Sequence, residues 1–252
     1  MRVRSAGKSD IGKRRKINQD AYLCHEEMGF FVVADGMGGH AAGEVAAREA
    51  VEAIHDMVTR GDGTIGAFRE QPLTRETAAT ICRLMESAVQ SATYLVYGMA
   101  EQAPGYRGMG TTVSALLLIG AYGITAQVGD TRIYCLRDGE TVQLTEDHTL
   151  VNWQIREGVL TPEEAKKVPH RNVITRAVGN KDYVQVDTQL ISVAVGDRFL
   201  ICSDGLHGYL KRHEIAEVMA LEPDAACDEL IRRANDRGGK DNITAVIVEI
   251  LS

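Results

Sequence analysis

An α+β fold, built as a layered sandwich of antiparallel sheets covered by segregated helices, is what this sequence predicts. Three observations carry that prediction. Strand-like apolar runs recur from residue 30 to residue 250, two long helical segments lie next to each other between them, and a last helix precedes a closing strand.

The elements follow in chain order. Residues 30–34 form a first apolar strand. Residues 43–58 and 74–101 follow as helices, the second with Ile81, Leu84, Met85, Ala88, Ala92, Leu95, Val96 and Met99 recurring at helical spacing on one face. Strands are then expected over 111–119 and 122–128, where Ile124, Ala126 and Val128 alternate with Thr125 and Gln127. The strand at 132–136 is joined to 141–144 through Asp138-Gly139, a dipeptide suited to a tight hairpin turn. A strand at 198–202, a helix at 224–237 and a strand at 243–250 complete the set. Residues 60–72 and 98–110 read as exposed loops. The polar segment 145–180 reads as a surface flap, with the capping box Thr161-Pro162-Glu163-Glu164 opening a short helix.

The 252 residues are 44% hydrophobic and 25% charged, enough for one sizeable core, so a single domain over 1–252 is expected. The formal charge of -7 argues against a nucleic-acid partner, because such binding needs Lys and Arg to neutralise many phosphates. Five cysteines, odd in number, widely spaced and without a Cys-x-x-Cys pair, read as reduced core thiols rather than disulfides or a zinc site. The apolar region 113–126 is interrupted by Ser114, Gly120, Tyr122 and Gly123 and falls short of the ~20 residues of a spanning helix. No export or anchoring signal opens the chain, so a cytoplasmic protein without membrane attachment is expected.

The chemistry is concentrated in aspartates that sit next to or within two residues of glycine, after or between strands: Asp35 in VVADGMGGH, Asp130 in QVGDTR, Asp204 in ICSDGL and Asp241 in GGKDN. A single Asp-Gly marks an ordinary turn. Several of them at strand ends supply the carboxylate oxygens that hard cations such as Mg²⁺ and Mn²⁺ take, with glycine permitting close backbone approach. Bound cations would also give an acidic chain the local positive charge that handling phosphate requires.

The motifs INQD, VVADGMGGH, MGTT, QVGDTRIY, DHTLV, RNVITRAVG, ICSDGL and GGKDN occur in the order seen in bacterial members of the metal-dependent PPM (type 2C) protein phosphatases, and the chain resembles that family from about Gly7 to Val248. The resemblance implies a four-layer αββα sandwich and hydrolysis of phosphoserine and phosphothreonine in proteins by direct attack of a metal-bridging water, without a phosphoenzyme. It implies two Mn²⁺ or Mg²⁺ ions bridged by Asp35, with the Gly36 carbonyl, Asp204 and Asp241 as further ligands and Asp130 joining Asp204 at a third ion. Asp20 would orient water and Arg15 would bind phosphate, as a planar guanidinium suits. Lys13, Arg14 and Lys16 read as a solvated basic run. Gln19 stands where many relatives carry Glu. Met37 stands where eukaryotic members place a proposed proton donor; His40 nearby would act as the acid or support the ligands, although a histidine in a glycine-rich loop is more often a cap or packing residue, and a metal-bound water would be the alternative proton donor. His148 and His170 read as structural. The flap, with Lys166, Lys167, His170 and Arg171, would either shape phosphopeptide binding or form a solvated excursion. The implied partners are phosphoproteins, including those of a cognate bacterial Ser/Thr kinase, acted on by a monomer. Two rival readings are a scaffold that has lost its metal ligands, which the retained aspartates disfavour, and a hydrolase of small phosphate esters.

Overall fold

The computed structural model describes residues 1–38, 42–165, 167–168 and 173–252. Two antiparallel sheets pack face to face between two layers of helices. One sheet runs in the order β1 (Val3–Asp10), β11 (Ile243–Ile250), β10 (Arg198–Cys202), β7 (Arg132–Arg137), β8 (Glu140–Gln143). The other runs β2 (Asp20–His25), β3 (Phe30–Met37), β5 (Val113–Ile119), β6 (Tyr122–Val128), β9 (Asp187–Ser192), with the short β4 (Gly110–Thr111) pairing the end of β3. The first sheet carries α6 (Asp204–His207), α7 (Arg212–Met219) and α8 (Pro223–Asp236), and the second carries α1 (Gly43–Arg60), α2 (Asp62–Glu70) and α3 (Arg75–Gln102).

Side-chain alternation sorts the central strands into three apolar layers. On β3, Phe30, Val32 and Ala34 face α1 and α3, whereas Phe31 and Val33 face the other sheet. On β11, Ile243, Ala245 and Ile247 face α8, and Val246, Val248 and Ile250 meet Phe31 and Leu116 in the layer between the sheets. Strands covered on both faces lose the polar half of their alternation, which is why these runs read as continuously apolar. The thiols of Cys135, Cys202 and Cys227 lie in these layers, and all five cysteines are free.

The predicted elements form, with corrections. Residues 60–72 are not a loop: α2 occupies Asp62–Glu70 and buries Ile65 and Phe68, the latter edge-on to Tyr122. Gly63 and Gly66 lower its intrinsic helicity, and packing of that two-residue anchor overrides them. Residues 98–110 are partly helical, since α3 continues to Gln102 before a 3₁₀ turn at Pro104–Tyr106. The predicted strand over 111–119 breaks at Thr112, which turns to bond Asp35. Strands β1, β2 and β9 escape the sequence reading because they are half-buried and polar, taking their order from ladder bonds to neighbours. The flap holds α4 (Leu150–Arg156), capped by Thr149, and α5 (Pro162–Ala165), where Thr161 and Glu164 form the predicted capping box. Asp138 and Gly139 both have positive φ, the type I′ geometry of a two-residue hairpin. Among the described residues no helix is long and apolar enough to cross a membrane.

Candidate metal centre

The aspartates singled out in the sequence come from both sheets to one end of the sandwich. Asp35 near the end of β3 lies directly opposite Asp20, the first residue of β2. Asp204 begins α6 immediately after β10, Asp241 immediately precedes β11 across Asn242, and Asp130 sits in the turn from β6 to β7. Their fields overlap at Asp35. Desolvation first, then repulsion from Asp20, Asp204, Asp130 and Asp241, holds its carboxyl well above the usual carboxylate range. Burial likewise pushes Asp20 up to about 6, Asp204 to about 6 and Asp130 to about 7, with neighbouring aspartates adding to each. Arg15 enters this acidic ring: its Nη2 donates to Asp241 Oδ2 at 2.7 Å, and Asp241, Asp35 and Asp204 all raise its pKa. His40, with Gly39 and Ala41, lies outside the described residues, as do Lys166, His170 and Arg171 of the flap.

Backbone and hydroxyl contacts position the residues that carry the carboxylates. The N–H of Asp35 donates to Thr112 Oγ1 at 3.0 Å, and its carbonyl accepts from Thr112 N–H at 2.9 Å and Thr111 Oγ1 at 2.9 Å. This gives the MGTT motif a structural task. Gly36 donates to the Gln19 carbonyl, and a Cβ there would lie 2.0 Å from the Gly43 carbonyl oxygen, so the first turn of α1 closes directly over it. Gly205 has a parallel role, because a Cβ would lie 1.9 Å from the Asn242 carbonyl oxygen. Only a bare backbone lets α6, carrying Asp204, come down beside Asp241. Asn242 in turn donates from Nδ2 to the carbonyls of Ile11 and Ile17, each at 3.0 Å, and accepts from Gln19 N–H at 2.9 Å. It therefore holds the loop that bears Arg15.

Asp20 is held on one side only. Its Oδ2 accepts from Ser203 Oγ at 2.8 Å and Thr244 Oγ1 at 2.5 Å, while its Oδ1 is buried and has no partner among the described residues. An orphaned acceptor amid crowded carboxylates fits a site built for a hydrated cation, whose waters donate to such an atom. The donor set is all oxygen, which suits Mn²⁺ or Mg²⁺ rather than a soft metal. Among the described residues no three His, Cys, Asp or Glu side chains close around one point. A hard ion that keeps several waters and takes a backbone carbonyl does not require such a cluster.

Several residues support this arrangement; His148 has the structural role expected of it, and His207, Arg132 and Arg176 carry no signal of their own in the sequence. His207 Nε2 donates to the Asp130 carbonyl at 2.9 Å, and desolvation lowers its pKa to about 4, so the ring is neutral. His148 Nδ1 accepts from Gly129 N–H at 3.1 Å, which puts its proton on Nε2, facing Asp187 Oδ2 at 3.0 Å. Arg132 forks onto Asp147 at 2.8 and 2.6 Å, and Arg176 donates to Asp187 at 2.7 Å. Ser114, Gln127 and Thr131 form a buried polar knot beneath the same turn. The DHTLV and RNVITRAVG motifs thus brace the Asp130 turn, and their polar residues beside strand ends were the available signal.

A protein-family profile described as protein phosphatase 2C matches residues 6–252. The chain belongs to the protein phosphatase 2C family. It is 36% identical over 247 residues to protein phosphatase PhpP of Streptococcus pneumoniae, covering 96% of this chain and 95% of that one. The crystal structure of the Mycobacterium tuberculosis serine/threonine phosphatase PstP/Ppp superposes with a TM-score of 0.87 at 33% identity, covering 100% of both chains. A catalytic domain of PstP in complex with two manganese ions superposes with a TM-score of 0.83 at 32% identity, covering 100% of this chain and 99% of that one. The two-sheet, helix-flanked architecture described above is the one these family members share.

Proposed function

We propose that this protein is a metal-dependent serine/threonine protein phosphatase, a single catalytic domain that hydrolyses phosphoserine and phosphothreonine in proteins and reverses the action of a bacterial Ser/Thr kinase. We place it in the cytoplasm as a monomer. The observation that carries the reading is the gathering of Asp35, Asp20, Asp204, Asp241 and Asp130 from two sheets at one end of the sandwich, where the other four all act on the Asp35 carboxyl, in a family whose member PstP is seen with two manganese ions. Asp35, the Gly36 carbonyl, Asp204 and Asp241 would hold two Mn²⁺ or Mg²⁺ ions, and Asp130 with Asp204 a third.

Bound ions would supply Lewis-acid stabilisation of the phosphoryl oxygens and lower the pKa of the attacking water, as two-metal hydrolases do. The chain's own groups do the rest. Asp20, gripped through Oδ2 by Ser203 and Thr244, presents Oδ1 as the acceptor that orients the attacking water toward phosphorus. Arg15, now on Asp241, exchanges that carboxylate for two phosphate oxygens when substrate enters, a fork-to-oxyanion contact for which guanidinium is shaped. No cysteine serves as nucleophile, since burial raises the thiols of Cys24, Cys82, Cys135, Cys202 and Cys227.

The test is phosphate release from a phosphothreonine peptide with added Mn²⁺, repeated with chelator and with Asp204→Asn. Metal-dependent release that disappears in the variant is the expected result. Release from nucleotides but from no phosphopeptide would overturn the substrate assignment, and undiminished release by Asp204→Asn would overturn the metal assignment.

A further inference from the structure

The loop that delivers Arg15 carries more positive charge than phosphate binding uses. Residues 13–16 read Lys-Arg-Arg-Lys within a chain of formal charge -7. Arg15 is engaged with Asp241, and Lys13 lies 3.9 Å from Asp236. Arg14 and Lys16 are exposed, and neither has a hydrogen bond or ion pair among the described residues. The loop is not free to carry these charges elsewhere. Lys13 N–H donates to the Gly239 carbonyl at 2.7 Å, Gly12 N–H to Asp10 Oδ1 at 2.8 Å, and Asn242 holds both Ile11 and Ile17. That docking sets the loop against residues 239–241 and brings in a third exposed cation, Lys240, next to Asp241; its N–H donates to the Tyr209 hydroxyl, and its ammonium has no hydrogen bond or ion pair among the described residues. Arg14, Lys16 and Lys240 are thus each one residue from a group of the reaction centre and are tied to it by backbone bonds.

Exposed cations that neutralise nothing on their own surface destabilise by mutual repulsion and attract anions from outside. On the phosphatase reading the anion in the centre is phosphate, and Arg14, Lys16 and Lys240, each adjacent in the chain to Arg15 or Asp241, would meet residues that flank the phosphorylated one. We propose that Arg14, Lys16 and Lys240 form a basic rim that selects phosphoprotein segments with acidic side chains next to the phosphorylated residue. This inference rests on the phosphatase reading and names its substrate class. Ile11 and Ile17, 38% and 51% exposed on the same loop, add apolar surface beside the charges.

The experiment measures affinity rather than turnover, so that it stands apart from the test of phosphatase activity. Fluorescein-labelled peptides carrying a non-hydrolysable phosphonate in place of phosphothreonine, with acidic or with serine flanks, are titrated with Mn²⁺-loaded protein by anisotropy. A screened surface pair shifts an equilibrium by about 1.4- to fivefold, so two or three pairs give the acidic peptide an advantage of about tenfold at low salt. That advantage shrinks at high salt, where the Debye length falls to a few ångströms, and drops to about twofold in Arg14→Ala/Lys16→Ala protein. Equal affinity of the wild type for the two peptides overturns the proposal, as does an advantage that the double substitution leaves intact. Phosphate release from the serine-flanked phosphopeptide is read separately, and its absence would count against the phosphatase reading while the affinity ratio still decides this one.

Discussion

Gly205→Ala isolates what the two halves of the centre require of each other. The added Cβ would sit 1.9 Å from the Asn242 carbonyl oxygen and 3.3 Å from Asp241 Cβ, against a closest ordinary approach of 3.0 Å. Both obstructing groups are tied down, Asn242 by three hydrogen bonds to the 11–19 loop, so α6 has to move by about 1 Å. Overpacking of this kind costs about 1–3 kcal/mol. The larger effect falls on Asp204, the neighbouring residue, because a displacement of about 1 Å in a reacting constellation lowers rate by about 100-fold. The assay pairs urea denaturation with Mn²⁺-dependent phosphate release, the rate being normalised to folded protein. Gly63→Ala serves as the control: its Cβ meets nothing within 4 Å, it lies in helix α2, and alanine there should add about 0.5–1 kcal/mol without changing rate. A Gly205→Ala protein that folds and retains the wild-type rate would refute the argument that glycine sets the approach of Asp204 to Asp241.

Three further outcomes are expected. Asp35→Asn removes a carboxylate directly opposite Asp20, so in chelator the variant should melt above wild type by about 1 kcal/mol of stability, yet gain less than wild type from added Mn²⁺ in a thermal-shift titration. Burial raises the Asp197 carboxyl, but hydrogen bonds from Arg137 and the Ala194 N–H outweigh it and leave the pKa depressed. A depressed carboxylate contributes stability that is present above its unfolded pKa of about 4 and is lost as pH falls through the folded value, so urea midpoints from pH 6 down to about pH 2 should converge for wild type and Asp197→Asn, with wild type ahead by about 1–3 kcal/mol at the upper end. His207→Leu leaves the carbonyl of Asp130, a residue 5% exposed, without its donor, at a cost of about 1–3 kcal/mol in denaturant melts.

The parts of the fold that were legible in the sequence are those whose side chains decide their own burial. Strands β5, β10 and β11 are apolar on both faces and announce themselves, as does α3 through its eight regularly spaced apolar positions. By contrast β1, spelled VRSAGKSD, is a strand because β11 supplies a full ladder of partners from Val3↔Ile250 to Asp10↔Ile243, and nothing local demands it. The α2 helix was hidden by two glycines. The same division holds in the centre. Asp35, Asp204 and Asp130 stood out through their Asp-Gly or Gly-Asp context, and Asp241 through GGKDN and family resemblance, but His207, Asn242 and Thr112 act by hydrogen bonds to backbone groups across long separations in sequence, and one-dimensional spacing carries no record of those.

The placement of the carboxylates also explains why this end of the molecule is held by so many polar contacts. Asp20 and Asp35 belong to one sheet, Asp204 and Asp241 to the other, and Asp130 to the turn that crosses between them. The spacing of the centre is therefore set by how the two sheets pack through Phe31, Val33, Leu116, Ile201 and Val246, a fully buried apolar layer, and close-packed interiors of this kind yield little to strain. Left to themselves the carboxylates would drive the sheet ends apart, since burial and mutual repulsion both oppose their ionisation. The hydroxyl clamp of Ser203 and Thr244 on Asp20 joins β2 of one sheet to β10 and β11 of the other directly against that repulsion, and Arg15 bridges to Asp241 from the loop above. A site assembled this way exists only when both layers have closed, so cations bound there would stabilise the whole sandwich rather than one loop, and their removal would loosen the contact between sheets before disturbing either sheet alone.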